Sequence, residues 1–262
     1  MQRRAARARH AAWGKPQVTV DPGQRSPAGA QVVEKREFYR QENVAGSYDA
    51  QRFGGASGMH VNARELALVC DLLPRGGPIA DVACGTGRLT AALRGRGDTV
   101  LPCDASLAML RVAVRHVVGP VVQADAFALP IADAACSGAA ALRLLFHFAE
   151  PAPLLAELRR AVRPGGALVC DTYSWSARSL IPLGRRRWGA TVSTIRRQLF
   201  RDLAASLGWR VRAERPCFLI SPYIYRRLPL PVVLLLERLE RRLPSILLCR
   251  VFWALEATAR PE

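Results

Sequence analysis

The sequence predicts a doubly wound α/β domain with a mostly parallel sheet, and three observations support this prediction. From residue 78 onward, short continuous apolar runs alternate with amphipathic stretches. Strands that helices cover on both faces have this apolar character. A glycine-rich turn joins the first apolar run to the next stretch, as at the ligand-binding edge of such sheets. The 262 residues, 50% of them hydrophobic, are enough to bury one core.

Each element is assigned from its hydrophobic pattern. Strands are predicted at 78–84, 99–103, 120–124, 136–142, 166–171 and 209–220. Helices are predicted within 34–53, 61–73, 86–95, 106–116, 151–162 and 193–207. Three glycines predict a loop at 54–58. The final stretch, 229–257, has the pattern of two amphipathic helices broken at Pro244.

The chain is strongly basic, with 38 Lys and Arg against 21 Asp and Glu and a net charge of +17. Such a charge attracts phosphate-bearing partners, either nucleic acid or an anionic membrane surface. A genome biased toward arginine would also give this net charge, and this explanation is favoured. No run interleaves arginines with aromatics as base-stacking platforms do, which argues against nucleic acid. Residues 1–30 lack periodicity and are expected to be a disordered basic tail.

Seven isolated cysteines, without a C-x-x-C pair or a histidine at ligand spacing, predict neither a metal site nor a disulfide framework. This cysteine usage suits a reducing cytoplasm. No uncharged apolar run reaches 18 residues, so no helix is expected to span a bilayer. The sequence therefore predicts a cytoplasmic location.

The segment 79–89 has the pattern of a strand, a glycine turn and the start of a helix. Gly85 and Gly87, with Thr86 between them, allow positive φ and close approach of a ligand. Free N–H groups at the helix start face whatever lies over the turn. The turn alone also suits dinucleotide-binding enzymes, although their fingerprint would need glycine where Thr90 stands.

Three carboxylates close successive predicted strands. Asp81 precedes the glycine turn, where it could hold a cationic amine. Asp104 ends the second strand, where it could accept both hydroxyls of a ribose, and Asp125 ends the third, where it could position an adenine with Ala126. Carboxyl ends of parallel strands meet at one edge of the sheet, so one site is expected there.

The stretches 81–87, 103–110, 123–126, 142–151 and 158–166 resemble, in order, the motifs of class I S-adenosylmethionine-dependent methyltransferases. Within that group the chain is most similar to the branch with the ubiquinone and menaquinone methyltransferases. The resemblance covers about 38–175 and implies a Rossmann-like, seven-stranded sheet. It divides the chain into a tail (1–30), N-terminal lid helices (31–77), a catalytic core (78–225) and C-terminal amphipathic helices (226–262).

The resemblance implies S-adenosyl-L-methionine as cofactor and assigns its binding residues. The methionine part would contact Asp81, Ala83, Gly85, Thr86 and Gly87. The ribose and adenine would contact Asp104, Ala105, Met109, Asp125 and Ala126. Ala83 stands where the family usually has glycine. Tyr48 and Arg52 are similar to lid residues that close over the cofactor, and helix packing is the alternative role for both.

His147, after the fourth strand, is the candidate general base, because histidine titrates near neutral pH. A structural histidine that caps the next helix is the alternative. Asp171 and Tyr173, after the fifth strand, are weaker candidates expected to face the same crevice. A base is needed only if the acceptor atom loses a proton.

The expected acceptor is a small molecule or a lipid-like compound, methylated at oxygen, nitrogen or carbon. The basic amphipathic stretch 226–262 could contact an anionic membrane, and packing on the sheet or at a homodimer interface is the alternative. Two other functions stay open: a nucleotide-binding oxidoreductase that uses the same turn, and a non-enzymatic module that binds phosphate or nucleic acid.

Overall fold

The computed structural model describes residues 39–175 and 192–259. Three segments lie partly or wholly outside these residues. They are the tail predicted at 1–30, the start of the first helix predicted within 34–53, and most of the stretch 174–192 after the fifth strand. The helices of this described part are too short or too polar to span a bilayer.

A single seven-stranded sheet in the order β3-β2-β1-β4-β5-β7-β6 forms the centre of the molecule. Its strands are β1 Pro78–Val82, β2 Thr99–Asp104, β3 Val122–Gln123, β4 Cys136–Ala141, β5 Val162–Tyr173, β6 Trp209–Cys217 and β7 Arg250–Ala257. The first five are parallel, and β7 is antiparallel to both of its neighbours, β5 and β6. The predicted class of fold, α/β with a mostly parallel seven-stranded sheet, is confirmed.

Eight α-helices surround the sheet in the described part of the chain. They are α1 Glu42–Phe53, α2 Gly55–Leu72, α3 Arg88–Gly95, α4 Leu107–Ala113, α5 Ala152–Ala161, α6 Arg197–Ser206, α7 Pro222–Tyr225 and α8 Leu230–Glu240. Short 3₁₀ turns lie at Leu145–His147 and Ser245–Leu247. The N-terminal helices predicted before the core are therefore present, and so is the first of the two C-terminal helices.

The second predicted C-terminal helix is wrong, because the segment after Pro244 forms β7. Its continuous apolar run is typical of a buried helix and a buried strand alike, and only its neighbours decide between them. Here β5 and β6 each present an open edge, and β7 bonds to both. The sheet therefore extends to Ala257, beyond residue 225, where the core was predicted to end.

The glycine-rich loop predicted at 54–58 is also wrong. Gly54 is the junction between α1 and α2, while Gly55 and Gly58 lie within the first turns of α2. A Cβ atom at Gly54 would lie 2.4 Å from the carbonyl oxygen of Ala50, and one at Gly58 would lie 2.6 Å from the backbone of Phe53. The glycines permit a close approach of two helices, which sequence pattern alone does not distinguish from a loop.

The core has two halves, one on each face of the sheet. Residues of β7 alternate between them: Val251, Trp253 and Leu255 face one half, and Phe252 and Ala254 face the other. This alternation follows from the period of two along a strand. Because both faces are covered, β7 is apolar at nearly every position, which explains why its sequence lacks a polar face.

Candidate functional site

An open cavity lies at the carboxyl ends of β1, β2 and β4. It contains about 1210 Å³ of empty space, part of it open to solvent, whereas small-ligand pockets typically hold about 300–1,000 Å³. Eleven of the predicted site residues line it: Tyr48, Asp81, Ala83, Gly85, Thr86, Asp104, Ala105, Met109, Asp125, Ala126 and His147. Gly87 and Arg52 are not among the lining residues.

The glycine turn follows β1 directly and forms one wall of the cavity. Gly85 has φ +57°, and a Cβ atom there would meet nothing within 4 Å. That open space lets a ligand approach the backbone. Ala83 has φ +59°, a left-handed conformation that costs an alanine about 1–2 kcal/mol relative to the right-handed one. The preference for glycine at this position of the family thus has a conformational cause.

Gly87 has a packing role. It precedes α3 with φ +82°, and a Cβ atom there would lie 2.9 Å from Cγ1 of Val117. The glycine therefore lets α3 start close to the chain that follows α4. This packing supports the turn that carries Gly85, and the contact of Gly87 with a ligand stays a prediction.

Asp81 lies in the wall of the cavity, and only 2% of its surface is exposed. Its carboxylate accepts a hydrogen bond of 2.5 Å from the Thr90 hydroxyl on α3. Burial raises the pKa of Asp81 to about 6, and the nearby charge of Asp104 adds to this effect. The protein thus holds a carboxylate where its negative charge is costly.

Asp104, at the end of β2, holds the turn in place. One carboxylate oxygen accepts from the backbone N–H of Gly85 and the other from that of Ser106, both at 2.8 Å. Burial raises the pKa of Asp104, and these two bonds oppose the rise. Within residues 39–175 and 192–259, neither Asp81 nor Asp104 makes an ion pair, although the nearby charge of Arg88 lowers the pKa of Asp81 in part.

Asp125 lies in the loop after β3, at the far side of the cavity. Its Oδ1 accepts from the backbone N–H of Phe127 at 3.1 Å. The Phe127 ring packs edge-on against Phe148 at a centroid distance of 5.0 Å, and both rings line the cavity. A carboxylate beside two aromatic rings can bind a flat heterocycle that carries an amino group.

The N-terminal helix α1 covers the cavity and is tied to the turn. Asp49 on α1 accepts a 2.8 Å hydrogen bond from the Thr86 hydroxyl. Tyr48, one residue earlier, lines the cavity. Arg52 points to a different neighbour, with its guanidinium 5.1 Å from the ring centre of Tyr223 and 5.8 Å from that of Tyr48. Of the two predicted lid residues, only Tyr48 reaches the cavity.

His147 ends the 3₁₀ turn after β4 and lines the cavity. Its ring lies 4.7 Å from that of Phe146 and 6.0 Å from that of Tyr39. Asp171 and Tyr173 do not line the cavity, so the expectation that they face it is wrong. Both are buried in the sheet, where Asp171 pairs with Arg250.

A buried charge cluster, formed by Glu65, Arg143, Asp171 and Arg250, lies behind the cavity. Arg143 donates two hydrogen bonds of 3.0 Å to Glu65, and Arg250 bonds both Glu65 and, at 2.8 Å, Asp171. Burial alone would raise the pKa of Glu65, but Arg143 and Arg250 outweigh it and lower that pKa to about 2. The cluster therefore holds its charges in balanced pairs.

Sequence reasoning missed this cluster, although a signal existed. Glu65 interrupts the apolar face of α2, and Arg250 begins an apolar run. Charged residues are almost never fully buried unless paired, so each predicts a partner.

Arg143 also lines the cavity and has φ +61°. Its backbone N–H donates a hydrogen bond to Asp171, which helps to hold this conformation. Within the described residues, no group of three or more His, Cys, Asp or Glu could bind a metal ion.

The sheet has the fold of class I S-adenosylmethionine-dependent methyltransferases, and comparison with known families agrees. Residues 80–170 match a family described as Methyltransferase domain. The resemblance that the sequence motifs indicated is thereby confirmed. The match spans β1 to β5, the part of the sheet that forms the cavity.

Curated relatives are more specific. The chain is 42% identical over 97 residues to a demethylmenaquinone methyltransferase of Corynebacterium kroppenstedtii. This alignment covers 37% of this chain and 42% of the relative. It is 32% identical over 167 residues to the ubiquinone/menaquinone biosynthesis C-methyltransferase of Acidiphilium cryptum, or 60% of this chain and 66% of the relative. The chain thus spans about half the length of the curated relatives it matches.

Solved structures share the fold at low identity. A magnesium protoporphyrin IX methyltransferase from Synechocystis PCC 6803, solved with bound S-adenosylhomocysteine, aligns with a TM-score of 0.61 and 13% identity over 87% of this chain and 100% of that one. A geranyl diphosphate C-methyltransferase from Streptomyces coelicolor aligns with a TM-score of 0.56 and 17% identity over 75% of this chain and 76% of that one. These likenesses establish the fold.

Proposed function

We propose that this protein transfers the methyl group of S-adenosylmethionine to a small-molecule or lipid-like acceptor. The observation that carries the proposal is a cavity with two carboxylates, the buried Asp81 and the half-buried Asp104, that form no ion pair with the described residues. A ligand with an ammonium group beside Asp81 would offset the cost of that charge, because an opposite charge nearby favours the ionised carboxylate. S-adenosylmethionine carries both an ammonium and a sulfonium group.

The chain's own groups fit the remaining parts of this cofactor. The open space beside Gly85 admits the methionine part, with Ala83 and Thr86 around it. Asp104 has oxygen lone pairs beyond its two backbone bonds, and these can accept from ribose hydroxyls. The aromatic wall near Asp125 and Ala126 suits an adenine. These contacts are proposed for the residues that the sequence motifs indicated.

Bound in this way, the cofactor supplies an electrophilic methyl group, so little covalent work is left to the protein. The cavity residues hold the reactants in line and exclude water, which can account for much of the acceleration. The lid helix α1 contributes Tyr48 to the wall, and its Asp49–Thr86 bond fixes it over the turn. No single residue needs to form a bond with the substrate.

His147 is proposed as the general base for an acceptor atom that loses a proton. It lines the cavity and lies beside Tyr39. We expect His147→Ala to lower kcat about 100-fold with little change in KM, since general base catalysis typically contributes at least that factor. Full turnover in this variant would instead assign His147 to packing between Tyr39 and Phe146. Steady-state kinetics with the identified acceptor distinguishes the two roles.

An apolar acceptor is supported by lining side chains that the proposed cofactor contacts do not use. They include Leu142, Leu144 and the ring of Tyr39. The names of relatives point the same way, since they include demethylmenaquinone methyltransferases and a geranyl diphosphate C-methyltransferase. We therefore propose a quinone-like or isoprenoid-like acceptor class, with methylation at oxygen, nitrogen or carbon.

The alternative of a dinucleotide-dependent oxidoreductase is disfavoured by the glycine turn. The third glycine of the dinucleotide fingerprint is replaced by Thr90, whose hydroxyl donates a hydrogen bond to Asp81.

Two measurements test the proposed function. In titration calorimetry, we expect binding of S-adenosylmethionine and S-adenosylhomocysteine and no binding of nicotinamide dinucleotides. The reverse preference, or no binding of any of them, would overturn the proposal. Metabolite and lipid extracts incubated with the protein and an isotope-labelled methyl donor then identify the acceptor, with Asp104→Ala as the control that should give much less labelled product at a low concentration of the donor.

A further inference from the structure

The connection between β6 and β7 presents an unusual number of apolar side chains to solvent. We call residues 224–247 the basic apolar face. Most of the large apolar side chains that are exposed among the described residues fall within it, among them Val232, Leu234, Leu235, Leu239, Ile246 and Leu247. Ile246 is 76% exposed and Leu235 is 53% exposed. Contiguous exposed apolar side chains mark interaction sites in most folded proteins.

The charges of this face are sorted by sign. Arg227, Arg238, Arg241 and Arg242 are exposed, and within the described part of the chain the last three make no ion pair. The two acidic residues of the segment turn inward to α2. Glu237 accepts from His60 at 3.0 Å and from Arg64 at 3.1 Å.

Glu240, the second of these acids, is 5% exposed and bonds Arg64 at 2.5 Å and the Tyr225 hydroxyl. Both negative charges are thus neutralised beneath the surface. The exposed charged side chains of the face are all arginines. Apolar and cationic groups therefore share one surface.

The topology places this face at the same edge of the sheet as the cavity. Arg250, the first residue of β7, pairs with Tyr173 at the end of β5 and with Cys217 at the end of β6. The connection therefore leaves and re-enters the sheet at the carboxyl edge of β5. Arg52 of the lid helix also contacts Tyr223, at the start of this connection.

We propose that the basic apolar face docks the protein on an anionic lipid bilayer. Aliphatic side chains would enter the acyl boundary, and the arginines would contact the phosphates of the headgroups, as on interfacial helices. The proposal rests on this surface and not on the proposed methyl transfer. It would bring the cavity edge of the sheet close to a membrane, where lipid-like molecules are dissolved.

A second copy of the chain is a less suitable occupant. In a symmetric dimer the same patch contacts itself, so Arg238, Arg241 and Arg242 of both copies would be brought together. Like charges at an interface are unfavourable unless anions lie between them. A bilayer with anionic headgroups supplies that negative charge together with an apolar phase.

Vesicle co-sedimentation tests the proposal with the full chain and no cofactor. The probes are vesicles of phosphatidylcholine alone and vesicles of phosphatidylcholine in which about a third of the lipid is anionic phosphatidylglycerol. We expect binding only to the anionic vesicles, weakening as salt rises because screening removes the arginine contribution.

The decisive variant is Arg238→Gln/Arg241→Gln/Arg242→Gln. Each arginine near an anionic surface contributes about fivefold in affinity, so we expect about 100-fold weaker binding. The matched control, Arg75→Gln/Arg115→Gln/Arg163→Gln, removes the same charge from three exposed arginines outside this face. Arg75 precedes β1 and Arg163 is near the start of β5, so both lie at the opposite edge of the sheet. Equal loss in both variants would overturn the proposal, since net charge alone would then explain binding.

Leu235→Ser/Ile246→Ser tests the apolar contribution. We expect at least about tenfold weaker binding that persists at high salt, because two exposed apolar side chains would no longer enter the bilayer. Unchanged circular dichroism and unchanged affinity for S-adenosylhomocysteine would show that fold and cavity are intact. Vesicle binding that this variant retains, or a dimer in sedimentation velocity whose dissociation follows these substitutions, would overturn the proposal.

Discussion

Two regions of this protein bury carboxylates, and they treat them in opposite ways. In the buried charge cluster, Glu65 and Asp171 are fully buried and paired with arginines. At the cavity, Asp81 is 2% exposed and Asp104 is half-buried, and neither forms an ion pair with an arginine in the described structure. Charge pairing lowers the pKa of Glu65 to about 2, whereas burial raises that of Asp81 to about 6.

The difference separates carboxylates that stabilise the fold from carboxylates that we propose to bind a ligand. A buried pair is satisfied by the protein, so removing one partner harms stability. A buried carboxylate without a countercharge weakens the free protein and gains from a bound cation. The following predictions test this distinction, beginning with the largest effect.

Arg250→Met should destabilise the protein strongly, because the buried carboxylates of Glu65 and Asp171 would lose the ion pairs that they form with Arg250. Breaking a buried pair costs about 3–5 kcal/mol, and we expect a loss of that size in the free energy of unfolding measured by urea denaturation. The matched control is Arg210→Met, which removes an arginine that is 58% exposed and paired with Glu256. Exposed pairs contribute about 0–1 kcal/mol. Similar losses in both variants would contradict the distinction.

Glu65 should make stability depend on pH in the acidic range. Because its pKa is about 2 in the folded protein and 4.5 ordinarily, its stabilising effect is complete above pH 4.5 and is lost as pH falls toward 2. The shift corresponds to about 3 kcal/mol. The difference in unfolding free energy between the wild type and Glu65→Gln should therefore shrink from pH 6 to pH 2.5. A constant difference would mean that folding leaves the pKa of Glu65 unchanged.

Asp104→Ala should weaken the binding of S-adenosylhomocysteine by about 1.5–3 kcal/mol, since the ribose hydroxyls would lose a charged acceptor. Titration calorimetry measures the change. Asp202→Asn, at an exposed position on α6, is the control and should bind like the wild type. Unchanged affinity in Asp104→Ala would count against the proposed site.

Asp81→Asn should stabilise the free protein while it weakens cofactor binding. The folded pKa of Asp81 is raised to about 6 from an ordinary value of 3.8, so its ionisation opposes folding above pH 3.8 and fully so above pH 6. We expect a gain of about 1–3 kcal/mol at pH 7.5 that disappears below pH 3.8. Thermal unfolding at several pH values measures it. A loss of stability at pH 7.5 would show that the Thr90 bond outweighs the buried charge.

The order of elements from β1 to β5 could be predicted because each strand is a continuous apolar run with turn residues at its ends. The last strand could not. Residues 251–255 are apolar throughout, and only the two open edges of β5 and β6 make them a strand. The junction of α1 and α2 failed for a related reason, since close helix packing and a flexible loop both use glycine.

The three carboxylates of the candidate site could be predicted because each follows a strand directly in the sequence. The charge cluster could not, because Glu65 lies 78 residues from Arg143 and 185 residues from Arg250 along the chain. Arg52 shows the same limit on a smaller scale. Its motif placed it in the lid, but the direction of its side chain depends on Tyr223, which belongs to a distant segment.

The insertion of β7 between β5 and β6 has a consequence for biosynthesis. Ribosomes produce the chain from its N-terminus, so β6 is complete before the strand that joins it to the rest of the sheet exists. Until about residue 257 has left the exit tunnel, β5 keeps an unpaired edge and β6 has no partner. Unpaired strand edges are prone to aggregation. Nascent chains stalled before Arg250 should therefore recruit chaperones more than the released chain of 262 residues.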